Sequence, residues 1–225
     1  MKNIILLPLF LCLASCTSIS VYQSAKTLPQ GGSQLGMGLG TGKVGKKSDI
    51  SGFNPDMPSV SGDIWGKYGF TDKLEAGLRI SLFGSLGADM KYGLSSESRG
   101  DSFSAALGLS YAFASASASS GGIKDSSSMQ DLLLPLYLSK DLSKSFTVYA
   151  VPRYGKRFIV NKRSSVSSSA RETFASDMLG IGGGIMLNLG KEGNGRLSLE
   201  YHKLFDLSDS SHYSRTAGVG LSFDF

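Results

Sequence analysis

Residues 215–225 read RTAGVGLSFDF. Ala217, Val219, Leu221, Phe223 and Phe225 alternate with Thr216, Gly218, Gly220, Ser222 and Asp224. Such alternation marks a β-strand with one face in an apolar medium and the other in a polar one. It continues up to Phe225, where a soluble domain ordinarily carries a polar, frayed tail. The fold turns on whether that apolar face meets a protein core or lipid.

The same period of two recurs along the chain. LEAGLRISL puts Leu74, Ala76, Leu78, Ile80 and Leu82 on one face, with Glu75, Gly77, Arg79 and Ser81 on the other. LGADMKYGL sets Leu86, Ala88, Met90, Tyr92 and Leu94 against Gly87, Asp89, Lys91 and Gly93. DLLLPLYLS, SFTVYAVPRY, LGIGGGIMLNL and RLSLEY behave alike, while helical spacing is weak. The pattern predicts about ten strands (eight to twelve fit), at 34–42, 59–70, 73–83, 85–95, 102–114, 130–140, 145–156, 175–189, 195–205 and 215–225. Most are about 9–12 residues, the length of a tilted strand crossing a bilayer.

The connections alternate in length. Long or moderate loops are expected at 43–58, 114–129, 156–174 and 206–214, with short ones at 71–72, 141–144 and 191–195; only the two beside the fourth strand break the order. Outer-membrane barrels have short periplasmic turns and longer outer loops. The reading is an all-β, antiparallel up-and-down transmembrane barrel over residues 34–225. Closure would pair the last strand with the first and leave no free edge.

The N-terminus reads MKNIILLPLFLCLASC: Lys2, an apolar run from Ile4 to Leu13, then small residues. That is a secretory signal, too short to span a bilayer as a helix. Leu13-Ala14-Ser15-Cys16 resembles a bacterial lipobox. The resemblance implies removal of residues 1–15, acylation (palmitate included) of Cys16, and a short polar tether over 16–33. Thr17 resembles the residue after the cysteine in lipoproteins sent to the outer membrane. The end of the chain resembles the carboxy-terminal signal of outer-membrane barrels through Gly220, Phe223 and Phe225. That resemblance implies recognition by the barrel assembly machinery during biogenesis. An anchored soluble β-sandwich is the competing architecture.

Composition narrows the chemistry. The chain has two cysteines, both near the start, and two histidines, His202 and His212. No metal-ligand spacing such as CxxC or HExxH occurs, so neither metal nor cofactor is expected. The formal charge of +5 comes without a basic helix or phosphate loop, so no nucleic acid partner is expected.

Alternation assigns the lumen. Asp63, Trp65, Lys67, Glu75, Arg79, Asp89, Lys91, Asp131, Tyr149, Arg153, Arg196, Glu200, His202 and Asp224 fall in the inward set. Glu75, Arg79, Asp89, Lys91, Arg153, Glu200 and His202 are read as an internal charge network, because balanced charges in a confined space favour pairing. The inward glycines Gly36, Gly38, Gly40, Gly182, Gly184, Gly218 and Gly220 either leave space or permit curvature. Tyr22, Tyr68, Phe70, Tyr92, Tyr154, Tyr201, Phe223 and Phe225 fit an aromatic girdle.

The sequence offers three catalytic readings and one binding reading. His212 and Ser214 resemble the His-x-Ser pair of lipid A deacylase barrels, although Arg215 replaces that family's Asn and no Glu follows Ser214. Asp206, Asp209 and His212 resemble the rim residues of omptin proteases, although Asp49 and Asp56 do not reproduce the second acidic pair. Glu200 and His202 share a strand face and form an acid/base candidate. Lys156, Arg157, Lys162, Arg163 and Arg171 form a basic loop suited to the phosphates of lipopolysaccharide or other outer-membrane lipids. The function expected is non-catalytic, structural or surface-interacting. A small porin-like channel and a lipid A- or peptide-cleaving enzyme are the alternatives.

Overall fold

The alternating stretches become strands in the computed structural model, which describes residues 21–46, 59–82, 84–95, 103–120, 123–164, 169–190, 194–208 and 212–225. They are β1 (Ser33–Lys46), β2 (Ser59–Thr71), β3 (Leu74–Ser81), β4 (Ser85–Gly93), β5 (Phe103–Ser120), β6 (Ile123–Ser143), β7 (Phe146–Ala150), β8 (Arg153–Ser164), β9 (Ser169–Leu189), β10 (Gly195–Asp206) and β11 (His212–Asp224). Segments β7 and β8 both lie between β6 and β9. They are halves of one strand interrupted at Val151–Pro152, where proline has no N–H for the ladder. The wall therefore has ten strands, all paired antiparallel. Strand β11 pairs with β1, Leu35 opposite Phe223 and Leu39 opposite Val219, which closes the barrel.

Burial is inverted relative to a soluble domain. On β3, Leu78 is 68% exposed, whereas Glu75 is 2% exposed. Leu35, Met37, Leu39, Ile64, Ile80, Leu86, Leu134 and Ile181 also point outward, while Asp63, Lys67, Lys91, Arg153, Glu200 and His202 are buried. An apolar exterior around a polar interior is stable only where the surrounding medium is hydrocarbon.

The structure corrects two predicted loops. The stretches 114–129 and 156–174 are mostly strand. The β5–β6 ladder continues to Ser120 opposite Ile123, and β8–β9 to Ser164 opposite Ser169. Strand β4 reaches only Ala114 of β5, and β10 only Met178 of β9. A four-stranded ribbon, β5-β6-β8-β9, thus projects beyond the rest of the barrel. Its serines and cations carry no apolar alternation because both faces lie outside lipid, so period-two reading stops at the belt. The opposite end carries the tight turns at Asp72–Lys73 and Lys144–Ser145, which in such barrels is the periplasmic end.

Candidate functional site: a lumen filled by the N-terminal segment

Residues read as tether occupy the interior. Tyr22, Gln23, Ser24, Ala25 and Leu28 are all buried. The Glu200 carboxylate accepts the backbone N–H groups of Val21 (2.9 Å) and Tyr22 (2.8 Å) and the Tyr149 hydroxyl (3.1 Å). His202 Nε2 stands 3.0 Å from the same carboxylate, and Arg153 meets His202 at Nδ1. Arg153, Glu200 and His202 are thus in direct contact inside the barrel. The acid/base candidate Glu200–His202 is a component of this packed anchor.

Lower down, Lys91 pairs with Glu75 at 2.9 Å, and its ammonium donates to the carbonyls of Ser24 (3.1 Å) and Lys26 (2.6 Å). Glu75 accepts the Leu28 N–H at 2.8 Å. Gln23 receives a hydrogen bond from Lys67 and donates to the Tyr137 hydroxyl at 2.9 Å. The Ala25 N–H donates to Ser139. At the turn end, Lys26 pairs with Asp141 at 2.7 Å, and Gln30 N–H donates to Asp72 at 3.0 Å. The segment thus runs from mid-lumen down to the tight turns and reverses through Pro29–Gly32 into β1. Gly31, at φ 80°, makes that reversal.

Tyr22 explains the inward glycines and corrects its girdle assignment. Its ring stacks on Trp65, centroids 5.0 Å apart and planes 12° apart. A Cβ at Gly38 would stand 2.5 Å from the Tyr22 ring and one at Gly220 2.6 Å from it; Cβ atoms at Gly218 and Gly36 would collide with Tyr22 and Trp65. These glycines leave space for rings. Gly182 does the same for His202. Tyr22 itself has φ 47°, a conformation that costs a non-glycine residue on the order of 1–3 kcal/mol. The two Glu200 hydrogen bonds and the ring stack hold it there.

Above the segment lies a cavity of about 30 Å³ bordered by Tyr22, Trp65, Arg79, Asp89, Tyr137 and Arg153, room for roughly two waters. Arg79 and Asp89, two more members of the expected network, line it. Near the turn end, Arg196 pairs with Asp224, which also accepts from Gln34 at 2.8 Å.

The basic loop does not hold together as predicted. Arg157 makes a two-pronged contact with Asp131, both distances 2.7 Å, and Arg163 a similar one with Asp125 at 2.9 and 3.0 Å. Both lie on the inward face of β8. Lys156, on the outward face, is 3.3 Å from Asp177. Lys162 and Arg171 remain, directly opposite each other in the β8–β9 register on the outward face. The five residues are ladder positions, so alternation splits them between two faces.

Of the catalytic candidates, Ser214 belongs to the inward set of β11, and Asp206, at the end of β10, accepts the Ser208 N–H at 2.9 Å. Asp209, the His212 side chain, Asp49, Asp56 and Cys16 lie outside the described residues. Among the described residues there is no group of three or more His, Cys, Asp or Glu side chains placed to hold a metal. Phe223 is exposed on the outer surface, and Gly220 lies beneath Tyr22. Sequence reading missed Tyr22 and Gln23 as lumen residues. The available signal was the run of inward glycines on β1 and β11, which are adjacent in the closed barrel.

No protein-family model matches the chain, and no curated protein matches it in sequence. The fold does match solved structures. The outer membrane protease OmpT of Escherichia coli aligns over 90% of this chain and 100% of its own, at 10% identity and a TM-score of 0.53. The translocator domain of the autotransporter NalP from Neisseria meningitidis aligns over 86% and 88%, at 10% identity and 0.49. Ail, the attachment invasion locus protein of Yersinia pestis, aligns over 87% and 99%, at 14% identity and 0.40. With the inverted burial and ring closure, the OmpT alignment defines the class: a ten-stranded antiparallel barrel of the outer-membrane type, integral to the membrane.

Proposed function

We propose that this chain is a non-catalytic outer-membrane barrel lipoprotein that works through its outer surface, with its bore sealed by its own N-terminal segment. One observation carries the reading: residues 21–30 are bonded to the wall by Glu200, Lys91, Glu75 and Ser139, and the cavity bordered by Tyr22, Trp65 and Arg153 above them measures about 30 Å³. A solute path through a ten-stranded barrel needs that space. The projecting β5-β6-β8-β9 ribbon, with Lys162 and Arg171 side by side, offers an outward surface suited to lipopolysaccharide or another anionic glycan. The Cys16 acyl anchor belongs to the same reading.

Planar-bilayer recording of the full chain tests it. A sealed barrel gives no stepwise conductance, and Glu200→Gln combined with Glu75→Gln produces flickering steps as the segment loosens. Steady conductance from the unaltered chain would favour the porin-like alternative. Incorporation of labelled palmitate, lost in Cys16→Ala while the unheated gel band stays shifted, tests the anchor separately.

A further inference from the structure

Strands β10 and β11 place two cations side by side at the outer edge of the lipid-facing surface. Lys203 is directly opposite Arg215 in the β10–β11 register. Lys43 is the residue opposite Arg215 on β1, across the closure. Both Lys203 and Arg215 fall in the outward set. That set runs through Leu199 and Tyr201 on β10 and through Ala217 and Val219 on β11, all exposed. Like charges directly opposite on a strand pair repel, and a cation on the lipid face of a barrel costs more the deeper it sits. The arrangement therefore favours a counter-charge at this depth. Among the described strand residues, the outward carboxylate is Asp177, held by the Tyr154 hydroxyl at 2.7 Å and by Lys156.

The neighbours show what kind of counter-charge fits. Phe205 and Tyr213 form the next outward-facing pair toward the barrel's outer end. The Lys203 ammonium lies over both rings, 4.5 Å from the Phe205 centroid and 5.1 Å from that of Tyr213. It is thus drawn from its apolar surroundings up to the aromatic level, where lipid headgroups begin. Rings beside paired cations offer a surface to an acyl or sugar group and a charge to a phosphate at the same depth.

We propose that Lys203 and Arg215 form a binding site for the phosphate of an outer-leaflet lipid, with Phe205 and Tyr213 flanking the lipid's apolar or sugar portion. The site lies on the β10–β11 pair beside the closure seam, away from the ribbon cations Lys162 and Arg171. It does not depend on the bore being sealed.

The test uses the full chain in neutral detergent and measures retained lipid by native mass spectrometry, with three probes: diphosphorylated lipid A, its dephosphorylated form, and inorganic phosphate. The unaltered chain should retain the phosphorylated lipid. K203Q/R215Q should retain it roughly tenfold less, the scale of one charge-assisted hydrogen bond. K203R/R215K should restore retention, and K73Q, in the exposed tight turn at the other end of the barrel, should leave it unchanged. A heat-shifted gel band confirms that each variant is folded, and R215Q alone serves if the double variant is not. Equal retention by the folded variant overturns the proposal, as does equal retention of the dephosphorylated lipid. Displacement by millimolar inorganic phosphate would make this a free-phosphate site and overturn the lipid assignment.

Discussion

The Tyr22 ring lies flat on Trp65, centroids 5.0 Å apart, although 43 positions separate them in sequence. Tyr22 comes from the segment ahead of the first strand and Trp65 from the inward face of β2. The stack couples segment to wall, and the inward glycines of β1 and β11 exist in the space it requires. The lumen and the N-terminal segment are one packed unit.

Substitution at the glycine floor should therefore act on the segment more than on the wall. A valine at Gly38 places its Cβ against the Tyr22 ring, an overpacking that costs roughly 1–3 kcal/mol. The expected outcome for Gly38→Val is a barrel that still shows a heat-shifted band but whose segment 21–30 becomes open to protease from the periplasmic side. Gly66→Val is the control, because its Cβ would have 3.9 Å of clearance. Equal protease resistance in both variants would show that Tyr22 does not occupy this floor.

Glu200 joins the segment to the strongest charge cluster. Glu200→Ala leaves the N–H groups of Val21 and Tyr22 without their acceptor and Arg153 beside an uncompensated His202. Removing one partner of a buried charged set typically costs about 3–5 kcal/mol. The urea midpoint for loss of the heat-shifted band should fall, and Glu200→Gln, which keeps an acceptor oxygen, should fall less. Indistinguishable midpoints for the two variants would mean that the charge, and not the hydrogen bonds to the segment, is what matters.

The five basic residues of 156–171 should separate into two behaviours. Arg157→Gln breaks the two-pronged contact with Asp131, which is 2% exposed, and is expected to lower stability by roughly 2–4 kcal/mol. K162Q/R171Q removes a repulsive cross-strand pair, so stability should hold or rise by about 0.2–1 kcal/mol. Binding to anionic glycolipid should weaken only in the second variant. Paired urea titrations and glycolipid pull-downs check this, and a stability loss in K162Q/R171Q would contradict the face assignment.

The wall was legible in the sequence because lipid imposes an unbroken period of two: Leu74 to Ile80 and Leu86 to Tyr92 point outward as the alternation requires. The inward charges Glu75, Lys91, Arg153, Glu200 and His202 followed from the same parity. Legibility ended where that pressure ends. Residues 115–120, 123–128, 162–164 and 169–172 are strand without an apolar alternation, so they read as loops. Tyr22 and Gln23 precede the first alternation, and nothing local to them says that they turn back into the bore. Their signature lies on the wall, in Gly36, Gly38, Gly218 and Gly220, which become one surface only after β11 closes on β1. The Lys203–Arg215 pair was equally hidden, since 12 positions separate its members and register alone brings them together.

The lower anchor tests whether the lumen pairs hold the segment or merely neutralise each other. Lys91 and Glu75 are both 2% exposed, and each also bonds segment backbone, Lys91 to Ser24 and Lys26 and Glu75 to Leu28. If mutual neutralisation were their whole role, Lys91→Met with Glu75→Gln should be close to neutral, because an apolar replacement of a buried pair often is. Because both also hold the segment, the double variant should keep wall stability while losing protection of residues 21–30, and each single variant should be worse in urea than the double. Lys91→Met alone takes from the buried Glu75 carboxylate its directly bonded cation and leaves it the Leu28 N–H, so it should be the least stable of the three. A double-mutant cycle on the urea midpoint, read beside proteolysis of the segment, separates the two roles. A double variant whose segment stays fully protected would assign anchoring to Glu200 and Tyr22 alone.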